Sequence, residues 1–530
     1  MSHHTAAKLS SKISASTVKR AAEAAAGALA ANAPRSVLSI PSSVRDGPVS
    51  ISDLADENGR TPSAVIRQIG ATRRIFILDP YMNCEEIEGL TYRIRMLGNN
   101  KSLNSILLSN NAEKNSDDEV DYIFPASALE TDRTYSLFED ESSPKKLGDV
   151  WHAAGGYDTK SLLNVSSDER RKVLNSMMKL TLSIRGSIDS NNESSKEFAS
   201  KIPFISVPHG LITDGGYALA MGSYVLATTD SRFKIMNPLR GLSLDPVGLS
   251  YVLPRLGWEF HQPSAHFPVG SVLALTGYEA DDSDMIETGL ATHFIDSYRK
   301  MGTLERSLAE LPPYDQQILR KDPIKQYGKT DSNRNRQDVN TQYRNVAVAN
   351  LLDVLCTYDA AGQEFSHVSD EKVFFAEEDP SLVLQGDKDK YFGDRESLLV
   401  NIAATFEDIF KKENTVVGIL ERLKEHAGVE VKNEEDKELA SLAKELVDGM
   451  EAQSPLALHS VHKLMNMGKN HDESLESCME RERNVLLKLF EKDDYKNWAA
   501  SGAVAGEFKD WKHNSVAEVT SDEINELFAE

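Results

Sequence analysis

A pair of adjacent glycines is the first feature of the sequence that could do chemistry. Gly215 and Gly216 follow a predicted strand, Phe204–Val207, and precede a predicted helical segment at 217–226. Backbone N–H groups at a helix N-terminus can stabilise negative charge that develops on a carbonyl oxygen, and the positive end of the helix dipole adds to this effect. The turn therefore predicts a site that holds an oxyanion.

Other kinds of catalytic site receive less support. The Ser and Thr residues near this turn lack the Gly-x-Ser-x-Gly signature of a serine hydrolase. Cys84, Cys356 and Cys478 are too far apart in sequence for a metal knuckle and too few for a disulfide framework. We therefore expect neither a metal site nor a catalytic triad.

The charge balance limits the classes of partner. The 530 residues carry 59 basic and 82 acidic side chains, a formal net charge of −23 at pH 7. Such a charge repels phosphate backbones unless basic residues are gathered in one place, so direct nucleic-acid binding is disfavoured. No apolar stretch approaches the roughly 18 residues of a membrane span, and we expect no membrane association.

Alternating strand and helix patterns must position the glycine turn. Short apolar runs at 75–78, 105–108 and Phe204–Val207 are typical of buried strands, and apolar residues recur at helical spacing over 168–186. Strand, turn and helix in this recurring order predict an α/β layered core.

Composition divides the chain into four parts. Residues 1–69 begin with scattered basic residues, many Ser and Ala, and the single acid Glu23 before residue 44, which is typical of an organelle transit peptide and also of a solvated alanine-rich tail. Residues 70–303 are the predicted core, interrupted at 110–145 by an acidic, solvated insertion. A polar connector with a few helices is expected at 304–395, followed by a helical C-terminal extension at 396–530.

The segment at 208–219, which contains the glycine turn, resembles the central motif of the crotonase (enoyl-CoA hydratase/isomerase) superfamily. Further motifs follow in family order, and among them Asp245, Leu-Pro-Arg-Leu and Ala-Thr-His most resemble 3-hydroxyisobutyryl-CoA hydrolase. This resemblance implies an α/β fold with a spiral core of repeated β-β-α units, an α-helical C-terminal extension, and a CoA thioester as substrate with no further cofactor. The downstream motifs are Arg232-Phe233, Gly241-Leu242, Asp245, Leu253-Pro254-Arg255-Leu256, Ala274-Leu275-Thr276-Gly277 and Gly289-Leu290-Ala291-Thr292-His293-Phe294.

The resemblance also implies an oxyanion hole built from two glycine turns. The first corresponds here to Ala154 and Gly155, followed by Gly156, and the second to Gly215 and Gly216. Tyr157 stands directly after the first turn, where the family places an Asp.

Asp214 replaces a glycine that the hydrolases carry immediately before the second turn. A carboxylate beside an oxyanion hole opposes the charge that the hole should stabilise. We therefore expect Asp214 to turn away and cap the helix that follows, a role for which Asp has a strong preference.

The carboxylates that the family uses are depleted in this sequence. In the hydrolases a Glu lies four residues past the strand Phe and attacks the thioester or directs water at it; counting from Phe233, that position holds Asn237. An amide cannot take a proton at neutral pH and is a poor nucleophile. Asp245 survives, and two roles remain open for it: orienting a product or water, or capping a helix that begins near Pro246. The acidic Glu-Gly turn that lines the hydrolase acyl pocket corresponds to 494–499 and is also degraded.

Two functions follow from the resemblance. One is a 3-hydroxyisobutyryl-CoA hydrolase of valine breakdown in the mitochondrial matrix, with a degraded catalytic set. The alternative is a non-catalytic protein, since relatives of this family occur as subunits of the mitochondrial small ribosomal subunit. Its partners would then be proteins of that subunit.

Overall fold

The computed structural model describes residues 37–40, 49–50, 63–77, 81–109, 122–123, 152–154, 156–185, 202–208, 210–228, 231–256, 267–295, 298–311, 313, 346–356, 397–412, 415–429, 433–470 and 472–529. Most of the expected transit-like segment and of the acidic insertion lies outside these residues. The strands are β1 Val37–Ile40, β2 Val49–Ser50, β3 Ala64–Ile69, β4 Thr72–Ile77, β5 Ser105–Ser109, β6 Tyr122–Ile123, β7 His152–Ala154, β8 Phe204–Val207, β9 Leu211–Thr213, β10 Tyr224–Ala227, β11 Arg232–Lys234 and β12 His293–Phe294.

The α-helices follow the sheet strands in the first half of the chain and dominate the second half. They are α1 Cys84–Gly98, α2 Ser167–Arg185, α3 Leu249–Val252, α4 Val269–Thr276, α5 Asp282–Thr288, α6 Tyr298–Glu310, α7 Val346–Leu355, α8 Leu398–Thr405, α9 Glu407–Lys412, α10 Val416–Ala427, α11 Glu434–Glu451, α12 Pro455–Gly468, α13 Leu475–Leu489, α14 Asp493–Ser501 and α15 Ser521–Phe528.

The core is an α/β structure, as predicted. Seven strands form one sheet in the order β1-β3-β4-β5-β8-β10-β12, in which β3 and β4 are antiparallel and the other neighbours are parallel. A second sheet, β11-β9-β7, is parallel throughout and carries the glycine turns at its strand ends. The predicted strands at 75–78, 105–108 and Phe204–Val207 are confirmed as β4, β5 and β8.

The sheet begins earlier than the expected boundary at residue 70. Strand β3 is buried over its first four residues and forms a hairpin with β4. Gly70 provides the turn with φ of +54°, a left-handed conformation that glycine adopts without strain.

The start of the expected connector is part of the core. Helices α6 and α7 bury Leu304, Leu308, Val348 and Leu352 in a second hydrophobic cluster with residues of β5, β8 and β10. The side chain of Asn104 donates to the backbone oxygen of Leu308 at 2.6 Å. Residues 304–311 and 346–356 of the expected polar connector with a few helices thus carry two helices, and these pack in the core.

The predicted C-terminal helical extension is confirmed, and it packs directly on the core. The buried carboxylate of Glu482 on α13 accepts hydrogen bonds from the backbone N–H groups of Gly248 and Ser250, at 2.9 and 2.6 Å. On α12, a Cβ at Gly468 would lie 1.9 Å from the backbone oxygen of Ser250. These contacts place the extension against the segment that follows Asp245.

Candidate functional site

The two glycine turns meet at one end of the three-stranded sheet. Strand β7 pairs with β9, so that Ala154 lies opposite Ile212. Gly156 has φ of +80°, and a Cβ there would stand 2.7 Å from the carbonyl carbon of Gly215. The structure thus brings the first turn to Gly215 and Gly216 as expected, while Gly155 itself lies outside the described residues.

The segment after the second turn is not the α-helix that the sequence predicted. Residues Asp214–Ala220 form a 3₁₀ helix, and the chain then enters strand β10. All seven residues of the 3₁₀ helix are buried. An apolar segment without a polar face gives no periodicity that separates a helix from a short turn and strand, which explains the wrong prediction.

Asp214 turns away from its own helix but does not cap it. It is the one non-glycine residue with positive φ in the described part of the chain, at +40°. One carboxylate oxygen accepts from the backbone N–H groups of Met236 and Asn237, at 2.9 and 3.0 Å, and the other lies 3.5 Å from the guanidinium of Arg240. Burial raises the pKa of Asp214, while Arg240 and the two N–H groups act in the opposite direction. The capping prediction is therefore wrong. Asp214 instead stabilises the turn that contains Asn237 by accepting hydrogen bonds from its backbone.

Asn237 is fully buried, and its side-chain amide is hydrogen-bonded within the protein, to Asp245 among other groups. Its side-chain N–H donates to the backbone oxygen of Ser243 at 2.9 Å, and its amide oxygen accepts from Arg240 at 3.3 Å. Both ends of the amide are thus held by protein groups, and neither can accept a proton from water.

Asp245 does not cap a helix. Helix α3 begins at Leu249 with Gly248 at its N-cap, beyond the reach of Asp245. One carboxylate oxygen of Asp245 accepts from the Tyr157 hydroxyl at 2.5 Å, and the other lies 3.1 Å from the position that a Cβ on Gly215 would take. Burial raises the pKa of Asp245 to about 7 and the charge of Asp214 adds to the rise, against hydrogen bonds from Tyr157 and Asn237.

Tyr157 is the site residue that sequence reasoning missed. Its side chain is 3% exposed, and its ring Cε1 lies 3.5 Å from the Cβ position of Gly215. Burial, followed by the charge of Asp245, raises the pKa of Tyr157 well above its ordinary value. The only signal in the sequence was its position, directly after the first glycine turn and in place of an Asp.

The C-terminal helix α14 closes one side of this cluster. The Tyr495 hydroxyl donates to the backbone oxygen of Thr159 at 2.9 Å. The Trp498 ring lies 6.0 Å from the Arg240 guanidinium and 5.2 Å from the Lys160 ammonium. The degraded motif at 494–499 therefore still contacts both segments that carry site residues.

No group of three or more His, Cys, Asp or Glu side chains in the described part of the chain is arranged to hold a metal ion. No helix among the same residues is long and apolar enough to span a bilayer.

The fold places the chain among proteins with the crotonase architecture. A carnitinyl-CoA dehydratase from Mycobacterium thermoresistibile superimposes with a TM-score of 0.55 at 15% identity, over 88% of this chain and 96% of that one. An enoyl-CoA hydratase from Rhodobacter sphaeroides gives a TM-score of 0.51 at 13% identity, over 88% and 97% of the two chains. At these identities the likeness shows the fold alone.

The sequence defines the family. The family pattern described as enoyl-CoA hydratase/isomerase matches residues 195–373 and 365–528, and the chain belongs to this family. Mitochondrial 3-hydroxyisobutyryl-CoA hydrolase from Xenopus laevis is 25% identical over 62% of this chain, and the Bos taurus enzyme 31% identical over 32% of it. The matched regions cover 64% of the frog protein and 38% of the bovine one.

The raised pKa of Asp245 gives a pH-dependent stability. A carboxyl whose pKa is about 7 in the folded protein, against 3.8 ordinarily, holds its proton more tightly when folded, so its contribution to stability is lost as pH rises from about 4 to about 7. Asp245→Asn removes this loss. The variant should therefore become more stable relative to the wild type as the pH rises from 5 to 8. We expect the difference between their free energies of unfolding to grow by on the order of 1.4 kcal/mol for each pH unit between pH 5 and the pKa of Asp245. Urea unfolding at both pH values measures it, and an equal difference at both would contradict the assignment.

Proposed function

We propose that this chain is a 3-hydroxyisobutyryl-CoA hydrolase-like protein of the mitochondrial matrix that has lost thioester hydrolysis. The named relatives support this branch of the family and a mitochondrial location. The observation that carries the loss of activity is the buried amide of Asn237, whose hydrogen bonds to Ser243 and Arg240 leave it no role in proton transfer.

Thioester hydrolysis needs more than an oxyanion hole. Backbone donors stabilise the charge on the carbonyl oxygen, but a base or nucleophile must also deliver the attacking oxygen. The carboxylate of Asp214 is committed to two backbone N–H groups and to Arg240. Loss of a positioned general base typically lowers the rate by about 10²–10⁴.

Asp245 is the one remaining candidate for that base. Its pKa of about 7 would suit proton transfer. However, one of its oxygens is bound by the Tyr157 hydroxyl, and the other faces the backbone of Gly215. The carboxylate thus serves as an internal hydrogen-bond acceptor, and its negative charge beside the turn opposes an oxyanion.

A turnover assay tests this proposal. We expect purified wild-type protein to release CoA from 3-hydroxyisobutyryl-CoA at a rate close to that of buffer. Asn237→Glu alone is expected to stay inactive and to lower stability by roughly 3 kcal/mol, because it adds a third buried carboxylate beside Asp214 and Asp245 with the single guanidinium of Arg240 between them. Thiol release and thermal unfolding provide the two readouts.

Asn237→Gln is the matched control, since it has the length of Glu without the charge. The difference in stability between the Glu and Gln variants isolates the electrostatic penalty. Brisk wild-type hydrolysis would contradict the proposal.

The second candidate function is that of a non-catalytic protein subunit of the mitochondrial small ribosomal subunit. It is favoured by the same commitment of Asp214, Asn237 and Asp245 to internal hydrogen bonds, which leaves a folded scaffold without chemistry. With a net charge of −23, its contacts would be made mainly to proteins rather than to RNA.

Sedimentation tests the second candidate. If it holds, the protein in a mitochondrial lysate migrates with the small ribosomal subunit on a sucrose gradient and moves to lighter fractions after the subunit is dissociated. Recovery of the protein only in the light fractions of the intact sample would contradict it.

A further inference from the structure

Tyr157 spans the gap between the second glycine turn and Asp245. Its ring Cε1 and one carboxylate oxygen of Asp245 lie 3.5 and 3.1 Å from the same point, the position of a Cβ on Gly215. Its hydroxyl reaches the other oxygen of Asp245 at 2.5 Å. The ring and the carboxylate therefore pack against one face of the Gly215 turn.

With the Gly215 turn as the oxyanion-binding element, this space matters for a thioester. A carbonyl oxygen held by that turn brings its acyl group next to Gly215, where the Tyr157 ring and the Asp245 carboxylate already lie. A phenol ring has about the size of a small branched acyl group, and two such groups cannot share a close-packed interior. The protein's own side chain and a substrate's acyl group thus exclude one another.

Contacts with other segments hold the backbone on both sides of Tyr157. Gly156 occupies the left-handed conformation and touches Gly215, while its carbonyl oxygen accepts from the N–H of Met82 at 3.0 Å. On the other side, the carbonyl of Thr159 accepts from Tyr495. The ring is held from both ends of its segment as well as through its hydroxyl.

We propose that Tyr157 occupies the acyl subsite of this protein and excludes small branched acyl thioesters from it. This inference rests on the proposed assignment of the Gly215 turn as the oxyanion-binding element. It goes further than the loss of hydrolysis, because a site without a base can still bind its ligand, whereas an occupied site cannot. Removal of the ring should therefore create binding without creating turnover.

Binding of isobutyryl-CoA to the full-length protein, measured by isothermal titration calorimetry, tests the proposal. We expect no binding by the wild type or by Tyr157→Phe, which keeps the ring and loses only the hydroxyl. Tyr157→Ala is expected to bind with a dissociation constant at least about tenfold lower than any wild-type value. Tyr157→Val, which keeps an apolar side chain in the core, is expected to bind too and carries the test if the Ala variant does not fold.

Tyr224→Val is the control for loss of a buried ring elsewhere. Tyr224 lies in β10, within the second hydrophobic cluster, and its removal should leave binding at the wild-type level. Equal binding by the wild type and the Tyr157→Ala or Tyr157→Val variant would overturn the proposal, as would an absence of binding by every variant.

Binding and turnover are read separately, so the two proposals can fail separately. Wild-type protein that binds isobutyryl-CoA but does not hydrolyse 3-hydroxyisobutyryl-CoA overturns the role of Tyr157 and leaves the lost hydrolysis intact. Wild-type hydrolysis overturns both.

Discussion

The site contains two buried carboxylates, those of Asp214 and Asp245, and the guanidinium of Arg240. The arrangement of the site depends on how the charges of the two carboxylates are stabilised. Asp214 and Asp245 are both almost completely buried, and each raises the electrostatic cost of ionising the other. Asp214 faces Arg240 and two backbone N–H groups, while Asp245 has a tyrosine hydroxyl and a shifted pKa instead. This arrangement commits both carboxylates to hydrogen bonds within the protein.

The rest of the fold maintains that arrangement. The glycine contact between Gly156 and Gly215 sets the distance between the two turns, because no larger residue fits there. The C-terminal extension holds the segment after Asp245 through Glu482 and reaches the first turn through Tyr495. Helices α13 and α14 thus contact the segments that follow Asp245 and Tyr157.

Part of this structure could be predicted from the sequence. Strands β4, β5 and β8 were evident as short apolar runs, and the glycine turns from their motif, because both signals are local. The helical prediction at 217–226 failed, since a segment buried on every side has no amphipathic period. Helices α6 and α7 lie in the expected connector with a few helices, and their place in the core depends on contacts with β5, β8 and β10, which are distant in sequence.

The side-chain pairs of the site were beyond such reasoning. Tyr157 and Asp245 are 88 residues apart, and Asp214 and Arg240 are 26 apart, so neither pair has a periodic or motif signature. Sequence reasoning named Asn237 and Asp245 as candidate site residues, but it expected Asp214 to cap a helix and left capping open as one of two roles for Asp245. Tertiary contacts decided both cases: the N–H groups of Met236 and Asn237 bond to Asp214, and the buried Tyr157 hydroxyl bonds to Asp245.

The measurement that tests this account most directly is a carboxyl NMR titration of Asp245 in the wild-type protein, with and without isobutyryl-CoA. A site closed by Tyr157 predicts a midpoint near 7 that the thioester does not move. An ordinary midpoint near 4, or one that shifts when the thioester is added, would contradict it.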